Sequence, residues 1–246
     1  MFHANDLFLK LLCAGIILGL VSCDRSVKFQ KKEISEKVEK TEQKIEEKDS
    51  DKEDGTFYGS LIKLNIPDEF KLKDIVIGNE QAPQTLVIYS SFTCNHCHEF
   101  HTELFEKFKK NYIDTGKVKI ILRQYLDDVG ALEAAILVRC LCKNNANAVL
   151  DAYHQIFENQ KEWMHSKEPQ KFLKNLFVKQ GYSADSVEQC LVDKKIPAGL
   201  MKEQQRAMQQ LHIFSVPVFI NENGKMHIGK ITYEELEGLI SKDKNA

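Results

Sequence analysis

The run Cys94-Asn95-His96-Cys97 puts two thiols three residues apart, directly after an apolar stretch over residues 85–89. The pattern reads as a strand handing over to a helix, with Cys94 at the helix N-terminus. Unpaired backbone N–H groups and the positive end of the helix dipole favour thiolate over thiol there. Cys94 is therefore the expected nucleophile. Cys97 falls one turn deeper on nearly the same face, close enough to form a disulfide with Cys94 and less accessible, as a resolving thiol requires. The chemistry is thiol–disulfide exchange, in which the dithiol is itself the redox group and no further cofactor is expected. Zinc ribbons, haem attachment sites and structural bridges share the C-x-x-C pattern, so its surroundings have to decide.

A second feature lies far along the chain. In Ser215-Val216-Pro217-Val218-Phe219-Ile220 a proline stands at the start of a segment that otherwise reads as a buried strand, a place proline avoids. A cis bond between Val216 and Pro217 resolves the conflict and exposes the backbone of residue 216 to an incoming peptide. Two rival readings use the same cysteines. Cys94 to His98 also spells C-x-x-C-H, a c-type haem attachment motif with His98 as axial ligand. Cys94, Cys97, Cys140 and Cys142, with His98 or His101 as substitutes, have the composition of a zinc site, although an oxidising compartment disfavours thiolate zinc.

The elements that must position these residues read as an α/β arrangement. Strands are expected over 73–77 and 85–89 around a turn at Gly78-Asn79, followed by a helix over 94–112. Phe100, Leu104, Phe105 and Phe108 form its apolar stripe and Gly116 ends it. A strand over 118–122 follows, parallel to the previous one because a helix connects them. Residues 131 to about 208 read as helical almost throughout. Strands over 213–220 and 225–228 then make a hairpin around Asn221-Glu222-Asn223-Gly224, and a helix over 233–240 closes the pattern. The folded part thus divides into 57–128, a helical insertion over 129–208, and 209–246.

With 246 residues, 43% of them hydrophobic, the chain has enough apolar content for one sizeable core or two small ones. A formal charge of −2 supplies no electrostatic pull towards nucleic acid. Residues 11–22 form an apolar run too short to span a bilayer but suited to the core of a signal peptide. The Leu20-Val21-Ser22-Cys23 that ends it resembles the lipobox of bacterial lipoproteins. That likeness implies cleavage after residue 22, diacylation of Cys23 and a membrane anchor, with Asp24 as in lipoproteins retained at the inner membrane. Export means an oxidising compartment. Of seven cysteines, Cys13 leaves with the signal and Cys23 carries lipid, so five remain and one is left over.

Residues 24–56 are mostly charged and cannot fold alone, a composition expected of a stalk. Val27, Ile34, Val38 and Ile45 nevertheless fall at spacings of seven, four and seven, a coiled-coil rhythm interrupted by Lys31, Thr41 and Lys48. Glu33 with Lys37 and Glu36 with Lys40 add helix-supporting pairs. The stalk is either a tether or a self-association element that makes a homo-oligomer.

Several blocks together resemble the DsbA-like branch of the thioredoxin-fold thiol-disulfide oxidoreductases, in particular those of alphaproteobacteria. They are Asp74-Ile75-Val76-Ile77-Gly78 with Ala82-Pro83, residues 89–101 around the cysteines, residues 112–118, Arg139-Cys140, and Val216-Pro217 with Phe219-Ile220-Asn221. The resemblance implies a thioredoxin fold with an inserted helical domain, a redox pair at Cys94 and Cys97, and a cis-proline at Pro217 contacting both the pair and the substrate. It also implies a periplasmic enzyme whose partners are exported proteins with cysteines and a membrane redox protein that recycles it. A second bridge, Cys140 with Cys190, is implied as well; Cys142 stands two residues from Cys140, and the two could exchange roles. Asn95 departs from the proline the family usually carries, whereas His96 keeps a common histidine that can favour the Cys94 thiolate. The nearest candidates for a proton acceptor under Cys97 are Glu99, His101 and Glu103, none of which the pattern singles out. An oxidase works as a monomer, whereas an isomerase often uses an N-terminal element to self-associate, as the stalk could.

Overall fold

Leu86-Val87-Ile88-Tyr89 are each at most 1% exposed, and a strand buried on both faces needs layers packed on both sides of its sheet. The computed structural model describes residues 71–240. The expected leader with Cys23, the charged stretch over 24–56 and the first residues of the expected folded part lie outside them. The buried run is the centre of β2 (Gln84–Ser90), which pairs in parallel with β3 (Val118–Gln124). On its other side β4 (Val218–Asn221) pairs antiparallel. With β1 (Ile75–Ile77) and β5 (Met226–Ile228) at the edges, the strand order is β1-β3-β2-β4-β5.

The crossover from β2 to β3 is a single helical run, α1, expected as plain α-helix. It is α-helical over Asn95–Glu99, widens to a π turn over Phe100–Leu104, returns to α over Phe105–Phe108, and ends in a second π turn over Lys109–Ile113. A π turn holds one extra residue. It brings Phe100 and Phe105, five apart, onto the same buried face, with ring centroids 6.0 Å apart. Gly78 sits under the end of this helix with φ of +102°, and a Cβ there would lie 2.7 Å from Ile113 Cγ2. Both the left-handed backbone and the close approach require glycine.

Six helices separate β3 from β4: α2 (Val129–Cys142), α3 (Ala146–Glu158), α4 (Gln160–Met164), α5 (Pro169–Lys179), α6 (Ala184–Val192) and α7 (Lys195–Leu211). Their starts are legible in the residues. Asp128 caps α2 by accepting from Ala131 N at 2.8 Å, Asn145 caps α3 through Ala148 N at 3.0 Å, and Pro169 occupies the first turn of α5. The helical part reaches Leu211, a little beyond the expected end at 208. A disulfide between Cys140 on α2 and Cys190 on α6, with Cα atoms 5.7 Å apart, ties two of these helices together.

Polar and aromatic contacts fasten this insertion to the sheet. The Arg139 guanidinium donates to Gln124 Oε1 at 2.8 Å, to the Lys73 carbonyl at 2.5 Å and to Glu203 Oε2 at 3.5 Å, joining α2 to β3 and α7. Gln124 in turn donates to Tyr153 OH on α3 at 3.0 Å. Buried polar groups have to be satisfied in this way. Phe92 packs against Tyr153 and Phe157 of α3, with ring centroids at 4.7 and 5.4 Å.

The strand expected over 213–220 pairs only from Val218 onward, because Pro217 has no N–H to give to the ladder. Residues 213–217 approach as loop, with Ile213 still fully buried. Asn221 makes the hairpin turn: its Oδ1 accepts from Asn223 N at 3.0 Å and Lys225 N at 2.9 Å. Helix α8 (Tyr233–Ile240) buries Leu236, Leu239 and Ile240.

Candidate active site

Cys94 is the N-cap residue of α1. Its backbone is extended (φ −83°, ψ 126°), its carbonyl accepts from His98 N at 3.0 Å, and its Sγ accepts from Cys97 N at 3.3 Å. The sulfur thus takes the place of the oxygen in an ordinary side-chain cap. Cys94 is half-buried, whereas Cys97 is wholly buried. The asymmetry is what an attacking and a resolving thiol need.

The opposite wall is the loop before β4. The Cys94 thiol donates to the Val216 carbonyl at 3.3 Å, and the Val216–Pro217 peptide bond is cis. Register puts Val218 beside Tyr89, so β2 and β4 carry the two halves of the site on adjacent strands.

Electrostatics separates the thiols further. A hydrogen bond from the Cys97 thiol, helped by the backbone N–H groups of Cys97 and His96, brings the Cys94 thiol down to about 7 against the opposing pull of burial and the Asp127 carboxylate. Burial pushes Cys97 well above the ordinary thiol value, and its hydrogen bond to Cys94 adds to this; the Ser91 N–H, 3.5 Å from the sulfur, and the Ser90 hydroxyl act the other way. A nucleophile poised near neutrality beside a thiol held protonated is the polarity thiol–disulfide exchange uses.

His96 was expected to act on Cys94 through its ring. The ring instead faces Glu99, whose Oε2 lies 3.3 Å from its Nδ1 and also accepts from Lys230 Nζ at 2.9 Å. What His96 contributes to Cys94 is its backbone N–H, because the second residue of a helix points its amide at the cap. Asn95 lies exposed in the same turn.

The four-thiolate zinc constellation is not assembled. Cys140 is bonded to Cys190, and Cys142 is buried on another side of α2, where its thiol donates to the Ala148 carbonyl at 3.4 Å. Among the described residues no group of three or more His, Cys, Asp or Glu side chains is placed to hold a metal ion.

Three side chains near the thiols gave no distinguishing signal in the sequence. Gln160, 2% exposed on α4, donates from Nε2 to the carbonyls of Phe92 (2.9 Å) and Cys94 (3.1 Å). Ser90, 3% exposed, ends β2, and its Oγ lies 3.2 Å from His101 Nε2. The His101 ring stacks on Phe157 at 4.5 Å.

A family model described as thioredoxin matches residues 71–242. A Rickettsia prowazekii protein named as a protein-disulfide oxidoreductase is 31% identical over 146 residues, which are 59% of this chain and 53% of that one. The chain therefore spans about half the length of this relative. Disulfide bond formation protein D of Bacillus subtilis is 24% identical over 169 residues, 68% of this chain and 76% of its own. Among solved structures, Wolbachia pipientis alpha-DsbA1 superposes with a TM-score of 0.65 at 27% identity, covering 73% of this chain and 92% of its own. Oxidised BdbD of Bacillus subtilis shares the fold with a TM-score of 0.61 at 22% identity, over 68% and 90% of the two chains.

Proposed function

Since the chain belongs to the thioredoxin family as a DsbA-like member, we propose that it is a thiol-disulfide oxidoreductase that forms disulfide bonds in exported proteins containing cysteines. The carrying observation is the placement of Cys94: half-exposed at a helix N-cap, against the Val216 carbonyl, with a buried thiol one turn behind it.

In the oxidised enzyme a substrate thiolate attacks the Cys94 sulfur. The Cys94–Cys97 bond breaks and Cys97 leaves as thiolate. A second substrate thiolate then attacks the substrate sulfur of the mixed disulfide, forming the substrate's bridge and releasing Cys94 as thiolate. Two electrons pass from substrate to enzyme, and a membrane redox partner removes them. The low thiol value of Cys94 makes it a good leaving group in the last step. The substrate segment lies extended across the Val216 backbone. The dithiol is the only redox group this chemistry needs.

The lipobox-like Leu20-Val21-Ser22-Cys23 supports a periplasmic site of action with a lipid anchor at Cys23 in the inner membrane. The coiled-coil spacing of Val27, Ile34, Val38 and Ile45 favours a second reading, an oligomeric isomerase associated through the stalk. One pair of assays tests both. Catalytic oxidation of a fully reduced substrate without refolding of a scrambled one identifies an oxidase; unscrambling that is lost in an Ile34→Lys, Val38→Lys variant identifies the isomerase. Catalysis of neither reaction contradicts the proposed activity.

A further inference from the structure

Cys97 is wholly buried, and a buried thiolate needs donors around its sulfur. Two face it. One, the Ser91 N–H, donates to the sulfur at 3.5 Å; the other, the Ser90 hydroxyl at the end of β2, favours the thiolate but hydrogen-bonds His101, not the sulfur, while Cys97 is a thiol. A hydroxyl has a single proton. Whether Ser90 aims it at Cys97 depends on its other neighbour, His101 Nε2, at 3.2 Å. If Nε2 carries the imidazole proton, it donates to Ser90 Oγ and leaves the serine proton free for the sulfur. The opposite tautomer would draw that proton away.

The surroundings of His101 suit a neutral donor. Its ring stacks on Phe157 at 4.5 Å and meets Phe100, Tyr153 and Phe105 at 5.0, 5.3 and 5.6 Å. Desolvation by these rings, with His98 nearby, lowers its pKa to about 3, so the imidazole stays uncharged at any working pH. A proton acceptor of that kind is too weak for a buried thiol; a hydrogen-bond donor is not.

We propose that Ser90 donates its hydroxyl hydrogen bond to the Cys97 thiolate, and that His101, donating from Nε2 to Ser90 Oγ, is the positioning residue that aims it. The proposal rests on the redox reading of Cys94 and Cys97 and supplies what that reading lacked, a stabiliser for the resolving thiolate. The other titratable groups facing these residues are Cys94 and Tyr153 at Cys97, His98 at His101, and Asp127 at Cys94.

The test separates the two thiols with oxidised glutathione as probe. In the reduced full-length protein, Cys94 thiolate attacks one glutathione sulfur, forming a Cys94–glutathione disulfide and releasing one glutathione thiolate. Cys97 thiolate then attacks the Cys94 sulfur, closing Cys94–Cys97 and releasing the second. Acid quenching and mass spectrometry give both rates across pH. For Ser90→Ala we expect the first rate to stay within about twofold. The second should fall about tenfold, with its pH midpoint raised by about one unit, the ordinary weight of a hydrogen bond to a charged group. His101→Phe keeps the ring's shape without the donor and should slow the same step; His101→Gln, which keeps an N–H, should recover most of it. Resolution by Ser90→Ala at the wild-type rate and midpoint would overturn the proposal while leaving the redox reading intact. Failure of the wild-type protein to form the Cys94 adduct would overturn the redox reading and the proposal with it. Should His101→Phe not fold, Ser90→Ala decides alone.

Discussion

Gln160 holds Cys94 by the backbone: its Nε2 donates to the Cys94 carbonyl at 3.1 Å from helix α4 of the insertion, 66 residues away in the chain. The same amide satisfies the Phe92 carbonyl at 2.9 Å. The inserted helices therefore help shape the loop that presents the nucleophile. Through that loop they set the alignment of the amide protons of His96 and Cys97 on its sulfur.

Gln160→Leu keeps the volume and removes both donors, leaving two carbonyls without their partner. We expect a loss of about 1–3 kcal/mol in urea unfolding. We also expect the Cys94 thiol to rise from about 7 toward its ordinary value, read from the pH dependence of iodoacetamide labelling. Wild-type stability together with a wild-type labelling profile would contradict this role.

The pH dependence of the redox pair follows from the direction of the Cys94 shift. A thiol whose value is depressed in the folded protein stabilises the reduced form fully above its ordinary value, and that stabilisation is lost as pH falls through about 7. Labelling of Cys94 should follow a midpoint near 7, while Cys97, pushed upward by burial, should stay unreactive throughout that range. Two cysteines labelling together at pH 7 would count against the asymmetry.

Arg139 and Glu203 are 6% and 4% exposed and face each other at 3.5 Å. Arg139→Met strands the carboxylate, which should cost about 3–5 kcal/mol at neutral pH. Burial already raises the Glu203 carboxyl, Arg139 and to a lesser degree Arg123 counteract that rise, and the substitution removes the larger of the two counteractions. A carboxyl raised above its unfolded value costs nothing below that unfolded value, destabilises progressively as pH climbs from the unfolded to the folded value, and carries its full cost above it. The variant should therefore be closer to wild-type at pH 5 than at pH 8, measured by urea midpoints at the two pH values.

The Cys140–Cys190 bridge closes a loop of 50 residues, for which the chain-entropy model gives about 4 kcal/mol. Changing both residues to serine should lower the melting temperature and leave the Cys94 labelling profile unchanged. A shift in that profile would mean that the bridge also acts on the redox pair.

How much of this was legible depends on whether the signal was local. The thiol pair at a strand–helix junction, the buried run in β2 and the misplaced Pro217 each follow from a few neighbouring residues. The π turns in α1 did not, because the stripe of Phe100, Leu104, Phe105 and Phe108 fits an α-helix nearly as well until Phe100 and Phe105 must both reach the sheet. The start of β4 was placed too early, since Ile213 is buried as loop rather than strand. Gln160, Ser90 with His101, and the turn of the His96 ring toward Glu99 depend on which distant groups meet, and no spacing rule carries that information.

The most direct test of the central claim is covalent trapping. Cys97→Ser leaves Cys94 able to attack but removes the thiol that resolves the product, so incubation with oxidised protein substrates should accumulate mixed disulfides at Cys94, visible as dithiothreitol-sensitive bands on non-reducing gels. Cys94→Ser should trap nothing and turn over nothing while keeping the wild-type circular dichroism spectrum. Redox activity surviving in Cys94→Ser, or trapping through any cysteine other than Cys94, would contradict the account.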